Sequence, residues 1–268
     1  MERSAVKKNQ DMWKNKRVLI TGSGRGIGKG IARIFLEGGA SVLLVARTLS
    51  ELEAARDEFS HLSGRVELTA TDLLMADSAS NVVERARRYF GGLDILVTNA
   101  GAAAQGGFLE LPDESWPEGF GLKMFANLRA IKSAWPLLKA SAGSLVMIGG
   151  GTARTPERHL SLVSAVNAGQ AALAKSVAEQ GYIDGVQVNL IQPGTIRTSR
   201  RDRLMRKQAE QEGVEYVDYL GLLVSRLRIA RLGEPSDVAN VVEFLCRPES
   251  RWLHGLVIDV DGGQNKSL

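Results

Sequence analysis

The chain contains very little cysteine and no long apolar run. Its 268 residues include a single cysteine, Cys246, which excludes a disulfide framework and a zinc site built from cysteines. Cys246 closes the apolar helical pattern VANVVEFLC, so we expect it in the core. No stretch approaches the roughly 18 apolar residues of a membrane span. The charged first residues, MERSAVKKNQDMWKNK, lack the apolar segment of a secretory signal. We therefore expect a cytoplasmic protein with no membrane partner.

The composition is that of a soluble globular protein. Apolar residues make up 44% of the chain and charged residues 24%. The net charge of +4 comes from lysines and arginines that are spread along most of the sequence. This distribution indicates a mildly basic surface, and neither a nucleic-acid partner nor a metal site is expected. We expect a flexible N-terminal arm over residues 1–15 and one large domain over residues 16–268.

Short apolar runs alternate with amphipathic segments along the whole chain. The runs are continuous rather than alternating, which indicates strands that are buried on both faces. Strand followed by helix throughout predicts an α/β fold: a single Rossmann-type, doubly wound domain with a mostly seven-stranded parallel sheet flanked by helices. The predicted strands are Arg17–Thr21, Ser41–Ala46, Arg65–Ala70, Ile95–Thr98, Ser144–Ile148, Gln187–Ile191 and Leu256–Val260. The clearest predicted helices are Ile27–Gly38, Glu51–Ser60, Ser78–Phe90 and Ala165–Gln180.

A glycine-rich turn follows the first predicted strand. Gly22 permits a tight turn, Gly26 lets the backbone approach a pyrophosphate, and Gly28 lets the next helix lie close to the sheet. The N-terminal amides of that helix point toward the phosphates. Because the glycines follow a strand and open a helix, they predict a dinucleotide site. The predicted contacts from this turn are Gly22, Ser23, Arg25, Gly26, Ile27 and Gly28.

The end of the second strand predicts which dinucleotide is bound. An NAD site carries an acidic residue there, which binds the ribose hydroxyls. This chain instead has Ala46, Arg47 and Thr48. Arg47, together with Arg25 from the glycine turn, can meet a 2′-phosphate, so NADP(H) is favoured over NAD(H).

Further motifs recur in order along nearly the full length. In chain order they are Thr21-Gly22-x-x-x-Gly26-Ile27-Gly28, Asp72-Leu73, Thr98-Asn99-Ala100-Gly101, Asn127, Pro193-Gly194-Thr195-Ile196-Arg197-Thr198, the segment from Arg231 to Ala239, and the segment from Asp259 to Gly263. With these motifs the chain resembles the short-chain dehydrogenase/reductase family. The resemblance implies a homotetramer or homodimer and further coenzyme contacts. Those contacts are Thr48, Asp72, Leu73, Asn99, Ala100, Gly101, Pro193, Gly194, Ile196 and Thr198.

The family's chemistry requires a serine after the fifth strand and a Tyr-x-x-x-Lys pair on the next helix. In that family the tyrosine protonates the carbonyl oxygen, the lysine lowers its pKa and the serine polarises the carbonyl. Alignment places Gly150 at the serine position, Val163 at the tyrosine position and Asn167 at the lysine position. None of the four tyrosines has a lysine four residues later. The usual mechanism therefore does not carry over.

Three residues are left as catalytic candidates. Asn127 and Asn167 occupy positions that the family uses, and Asn167 can still bind a ribose hydroxyl. His159 lies between Gly150 and Val163, in a segment that we expect to border the crevice. Histidine titrates near neutral pH and can transfer a proton, although a lone histidine in a loop is often simply exposed.

The segment after the sixth strand carries a local charge run. Five arginines and one lysine fall within residues 197–207. By resemblance, the region from about 197 to 230 forms a mobile helical lid over a small-molecule substrate. The charge run is consistent with capture of an anionic substrate and also with an ordinary solvated helix face.

Three functions are compatible with these features. The first is an NADP(H)-dependent oxidoreductase with a degenerate active site, acting on a carbonyl or alcohol substrate. The second is a catalytically inactive dinucleotide-binding homologue with a regulatory or structural role. The third is a non-redox lyase, isomerase or hydrolase on the same fold. The intact cofactor turn and nicotinamide loop favour the first.

Overall fold

Seven parallel strands form the centre of the computed structural model, which describes residues 11–267. The strand order is β3-β2-β1-β4-β5-β6-β7. The strands are β1 (Arg17–Thr21), β2 (Ser41–Ala46), β3 (Arg65–Ala70), β4 (Ile95–Thr98), β5 (Ser144–Ile148), β6 (Gln187–Pro193) and β7 (Val257–Val260). The central strands β4, β5 and β6 are buried throughout, because continuous apolar runs suit a sheet that is covered on both faces.

Helices cover both faces of this sheet. They are α1 (Gly26–Glu37), α2 (Leu49–Glu58), α3 (Ser78–Phe90), α4 (Ser115–Phe120), α5 (Ala126–Ala140), α6 (Ser161–Asp184), α7 (Ser199–Glu212), α8 (Tyr216–Leu227) and α9 (Pro235–Leu245). One face packs on α1, α2 and α9, and the other packs on α3, α5 and α6. Within the described part of the chain, no helix is both long and apolar enough to cross a membrane.

The predicted fold class is confirmed, and the element boundaries differ in detail. Five strands have the predicted bounds, whereas β6 continues to Pro193 and β7 begins at Val257. Helix α6 is longer than predicted and reaches from Ser161 to Asp184. The hydrogen bond from the Gly194 amide to the Val260 carbonyl, 3.1 Å, continues the pairing of β6 with β7 into the loop beyond Pro193.

The strand order places a crevice at one edge of the sheet. Strand β1 lies between β2 and β4, so the connections that leave β1 and β4 run in opposite directions. In such folds a ligand crevice opens outside the carboxyl ends of the strands at this reversal. The glycine turn after β1 and the Asn99 segment after β4 meet there.

The segment before β1 packs on the domain, which corrects the prediction of a flexible arm over residues 1–15. Trp13 is 4% exposed, and its ring meets Phe35 edge-on at 5.0 Å. Its indole Nε1 donates a hydrogen bond to Glu243 Oε1 on α9 at 3.0 Å. One buried aromatic therefore anchors the segment from Asp11 onward, and the earlier residues of the predicted arm lie outside the described part of the chain.

Residues 197–230 fold into two helices, α7 and α8, that share a small core. Its buried members are Met205, Ala209, Tyr219, Leu223, Ile229 and Leu232. The helical character expected for this segment is therefore present, while its action as a mobile lid stays a prediction.

Candidate dinucleotide site and substrate cavity

The glycine turn has the geometry that a diphosphate requires. Gly22 and Gly26 have φ angles of +67° and +56°, in the left-handed region that favours glycine. A Cβ on Gly28 would lie 2.4 Å from the Gly22 carbonyl oxygen, so α1 packs directly against the turn. Arg25 caps α1 without a side-chain hydrogen bond, and the first helical turn has no acidic residue. Its amides are thus available to an anion.

Residues after β4 hold the glycine turn in place. The Asn99 Nδ2 group donates to the carbonyl oxygens of Thr21 and Gly22, both at 3.0 Å. The Thr21 hydroxyl accepts the amides of Asn99 and Ala100, also at 3.0 Å. Asn99, Ala100 and Gly101 line the same cavity as the glycine turn, and their contacts with a coenzyme stay a prediction.

Ser23 does not face the crevice, which corrects its assignment as a coenzyme contact. The residue is fully buried. Its hydroxyl donates to the Ile20 carbonyl at 2.8 Å and accepts the Val45 amide at 2.8 Å. Ser23 therefore links β1 to β2 and stabilises the turn on the side away from the crevice.

The adenosine end of the crevice is a cavity of about 260 Å³ lined by Arg25, Arg47 and Thr48. It also contains a carboxylate that the sequence analysis missed. Glu51, in the first turn of α2, lines the cavity and accepts a hydrogen bond from Arg25 at 2.6 Å. With Arg200 from α7, the cavity wall consequently carries three arginines and one glutamate, rather than two arginines alone.

Asp72 and Leu73 have different positions relative to the cavity. Leu73 lines the adenosine cavity, whereas Asp72 is not among the lining residues. The Asp72 Oδ1 atom accepts the Leu74 amide at 3.0 Å, which closes a turn after β3. A coenzyme contact from Asp72 stays a prediction.

The adenosine cavity continues into a second cavity of about 590 Å³. Ile27 and Thr198 line both, so they mark the junction. The Thr198 hydroxyl caps α7 by accepting the Arg201 amide at 3.2 Å. Pro193, Gly194 and Ile196, which form the predicted nicotinamide loop, line the second cavity.

The three aligned catalytic positions meet in the second cavity. Gly150, Val163 and Asn167 all line it. A Cβ on Gly150 would lie 2.6 Å from Asn167 Nδ2, so the asparagine amide fills the space next to this glycine. Asn167 is 1% exposed, and its Nδ2 group donates to the Thr152 hydroxyl at 2.8 Å.

Lys123 is the residue of this cavity that sequence reasoning missed. It lies in a π-helical turn, Gly121–Phe125, between α4 and α5. Its Nζ atom donates to Asn167 Oδ1 and, at 3.4 Å, to the Gly149 carbonyl. Burial, and secondarily the positive charge of Arg200, lowers the pKa of Lys123 to about 8. A lysine one helical turn before Asn127, within the apolar run GFGLKMFANL, is the signal that could have found it.

Asn127 acts on Lys123 instead of facing the cavity. Its Nδ2 group donates to the Lys123 carbonyl at 2.9 Å, and Gln170 Nε2 donates to the same oxygen at 2.8 Å. Both amide side chains are buried. Asn127 therefore contacts the backbone of Lys123 and not the cavity, which corrects its prediction as a catalytic residue.

His159 borders the second cavity as predicted, but it is a poor centre for chemistry. Its side chain is 64% exposed, and Nε2 lies 3.5 Å from Glu157 Oε2. No hydrogen bond connects the imidazole to Asn167 or Lys123 in the described part of the chain. The exposed-loop alternative therefore describes it better.

The arginine run of α7 does not form one uniform solvated face. Arg200 lines the adenosine cavity and Arg201 lines the second cavity, while Arg203 and Arg206 are exposed. The Arg201 Nε atom is buried without a hydrogen-bond partner, and no ion pair of Arg201 is found among the described residues. Burial lowers the pKa of its guanidinium. Arg201 is thus an unpaired cation in the cavity wall.

Fold and site together define a dinucleotide-binding protein of the Rossmann class, with a cavity beyond the nicotinamide loop. The comparisons with known proteins agree. Residues 22–265 match the family model described as enoyl-(acyl carrier protein) reductase. The chain belongs to the short-chain dehydrogenase/reductase family.

Individual relatives cover nearly the whole chain. Oxidoreductase UcpA of Salmonella typhimurium is 32% identical over 253 residues, which cover 92% of this chain and 94% of that protein. L-sorbose reductase of Gluconobacter frateurii, in complex with NADPH and L-sorbose, has a TM-score of 0.91 at 30% identity and covers 96% of this chain and 100% of its own. A Pseudomonas aeruginosa short-chain oxidoreductase with bound NADPH, described as having an atypical catalytic centre, has a TM-score of 0.85 at 30% identity, with coverage of 96% and 99%.

Proposed function

We propose that this protein is an NADP(H)-dependent oxidoreductase that acts on a small carbonyl or alcohol substrate through a degenerate active site. The observation that carries the proposal is the pair of adjoining cavities, which share Ile27 and Thr198 and connect the open glycine turn to the space lined by Gly150, Val163 and Asn167. NADPH in two of the similar structures supports the coenzyme. Gly150, Val163 and Asn167, in place of serine, tyrosine and lysine, make the centre atypical.

Different residues would bind different parts of the coenzyme. The amides of α1 and the turn at Gly22 and Gly26 would hold the diphosphate. Arg47 and Arg25 would meet the 2′-phosphate, while Pro193 and Gly194 would close over the nicotinamide. When bound, the reduced nicotinamide supplies a hydride to the substrate carbon. The cavity lined by Asn167 would then receive the substrate.

The coenzyme preference is tested by calorimetric titration with NADPH and NADH. We expect tighter binding of NADPH, because a 2′-phosphate gains charge-assisted hydrogen bonds from Arg47. Arg47→Ala is expected to weaken NADPH binding about 10- to 100-fold and to leave NADH binding unchanged. Glu51→Gln releases Arg25 and is expected to strengthen NADPH binding. Arg56 is an exposed arginine on α2, the helix that carries Glu51, and it pairs with Asp57. Arg56→Ala is the control.

A second step separates the proposed function from its alternatives. Loss of NADPH absorbance is followed with a panel of carbonyl compounds, including sugars and short oxo acids. Turnover supports the oxidoreductase. Tight NADPH binding without turnover of any compound would favour an inactive dinucleotide-binding homologue. Absence of binding to either coenzyme would refute both and leave a non-redox enzyme.

Arg201 supports the proposal that the substrate carries an anionic group. Its guanidinium lines the cavity of Lys123 and Asn167 and has a buried Nε without a partner. We expect Arg201→Gln to raise KM for carboxylate-bearing substrates about 10- to 100-fold, since a hydrogen bond to a charged group contributes about 1.5–3 kcal/mol. KM for neutral substrates should stay unchanged. Arg203→Gln, exposed on the same helix, is the matched control, and equal effects of the two variants on all substrates would contradict this role.

A homodimer or homotetramer is proposed from the family resemblance, through the long helices α5 and α6. The exposed side chains of Phe125, just before α5, and of Tyr182 and Ile183, near the end of α6, support it. Light scattering of the purified chain measures the number of copies. A cytoplasmic location is likewise a proposal, which cell fractionation tests.

A further inference from the structure

The second cavity contains a lysine, Lys123, that lies outside the three aligned catalytic positions. Lys123 enters it from the π-helical turn, and Gly150, Thr152 and Val163 line the same space. An ammonium carries three N–H donors. Two are used by Asn167 Oδ1 and the Gly149 carbonyl. One donor is therefore left for a ligand in the cavity.

Three features fix the position of this lysine. Its carbonyl oxygen accepts hydrogen bonds from the buried amides of Asn127 and Gln170. Its stem lies against Gly101, where a Cβ would come within 2.9 Å of Lys123 Cγ. Its ammonium is hydrogen-bonded to Asn167, whose Nδ2 group is in turn held by Thr152. A lysine is among the most flexible side chains, so this degree of restraint indicates a positioned group.

The charge environment of Lys123 is unusual for a buried lysine. Among the described residues, no carboxylate forms an ion pair with it. Arg200, on α7, is the charged group that acts on its pKa, while Arg201, Glu157 and His159 line the same cavity. An uncompensated ammonium in a partly buried site gives up its proton more readily than an exposed lysine does.

We propose that Lys123 is the catalytic proton donor of this protein and replaces the missing phenol from a different helix. The inference rests on the proposed oxidoreductase function. In carbonyl reduction, the carbonyl carbon accepts the hydride, the electron pair of the C=O π bond moves to oxygen, and that oxygen takes a proton from Lys123 Nζ. The carbonyl compound is reduced and the reduced pyridine coenzyme is oxidised. Lys123 is left as a neutral amine and regains a proton from water.

The acid strength of this group supports the assignment. General acids work best when their pKa lies near the working pH, and the pKa of Lys123 is lowered to about 8. Asn167 and Thr152 then act as positioning residues, because they orient the ammonium without exchanging the substrate proton. The site thereby keeps a proton donor in the cavity that Pro193 and Gly194 also line, although Val163 has none.

Two substitutions test the inference in the full-length protein. Lys123→Met removes the ammonium that would donate the proton. Lys123→Arg keeps a positive charge, but on a guanidinium that does not deprotonate. We expect both to lower kcat about 10²- to 10⁴-fold, the usual contribution of a general acid. NADPH affinity by calorimetry should change by no more than about threefold. Lys132→Met, an exposed lysine on α5, should have wild-type values.

The pH dependence has opposite signs for the two directions. Carbonyl reduction requires the protonated amine, so kcat should fall as pH rises through the Lys123 pKa, about 8. Alcohol oxidation requires the neutral amine and should rise through the same pH. Lys123→Arg should abolish both transitions. A transition that persists in this variant would assign the acid to another group.

A measurement without turnover completes the test. The Lys123 ammonium is identified by NMR as the lysine signal that Lys123→Met removes, and it should titrate near pH 8. A midpoint above pH 10, as for a model lysine, would overturn the inference. So would wild-type kcat in Lys123→Met. If the wild-type protein turns over no substrate, the proposed function fails and this inference with it, which is distinguishable from turnover that survives without Lys123.

Discussion

Alanine at position 28 is expected to weaken NADPH binding about 100-fold, equivalent to two charge-assisted hydrogen bonds of about 1.5 kcal/mol each. The added methyl group would lie 2.4 Å from the Gly22 carbonyl oxygen and 2.5 Å from Asn99 Nδ2. Helix α1 must therefore move away from the turn, and its N-terminal amides move with it. Calorimetric titration with NADPH measures the effect, and chemical denaturation should show a loss of about 1–3 kcal/mol from overpacking.

The control for Gly28→Ala is Gly221→Ala. Gly221 lies in α8, and a Cβ there meets nothing within 4 Å. Alanine at this helical position is expected to stabilise the protein by up to about 1 kcal/mol and to leave NADPH binding unchanged. Wild-type NADPH affinity in Gly28→Ala would show that the close approach of α1 to the turn is not needed for binding.

Removing the indole of Trp13 is expected to lower the free energy of unfolding by about 3–5 kcal/mol. The ring is 4% exposed, packs against Phe35 and lies against Gly38, where a Cβ would come within 2.3 Å of its Cδ1 atom. Trp13→Ala leaves a cavity and also removes the donor to Glu243, which is 5% exposed. Both effects act on the contact between α1 and α9. Denaturation by urea, at a fixed protein concentration, measures the loss.

A matched tryptophan is available for comparison. Trp252 is 96% exposed, so Trp252→Ala should change the unfolding free energy by no more than about 0.5 kcal/mol. A loss below about 1 kcal/mol in Trp13→Ala would mean that the segment before β1 contributes little to the fold, as the sequence analysis expected for a flexible arm.

The sheet and the glycine turn were predictable because their signals are local. Each strand is a continuous apolar run, and the turn at Gly22, Gly26 and Gly28 is read from neighbouring residues. Even so, Ser23 was misassigned, since its contact with Val45 depends on which strand lies next to β1. A sequence motif does not show which of its side chains point away from the ligand.

The residues that sequence reasoning missed are brought to the site by tertiary packing. Lys123 and Asn167 are 44 positions apart and meet only because α6 packs beside the π-helical turn. Glu51 reaches Arg25 across 26 positions. Arg201 belongs to a charge run in which its burial distinguishes it from the exposed Arg203 and Arg206. Such contacts have no periodicity or spacing that a single sequence displays.

The close approach of Asn167 to Gly150 constrains how this site can change during evolution. A side chain at position 150 would displace an amide that is bonded to both Thr152 and Lys123. Substitutions at positions 150 and 167 are therefore epistatic, which a double-mutant cycle on unfolding free energy measures as non-additivity. A serine introduced at 150 alone meets the Asn167 amide and disrupts the network, whereas prior replacement of Asn167 removes the three atoms nearest to the new Cβ. The order of the steps, and not only their sum, decides which ancestors and descendants of this protein are viable.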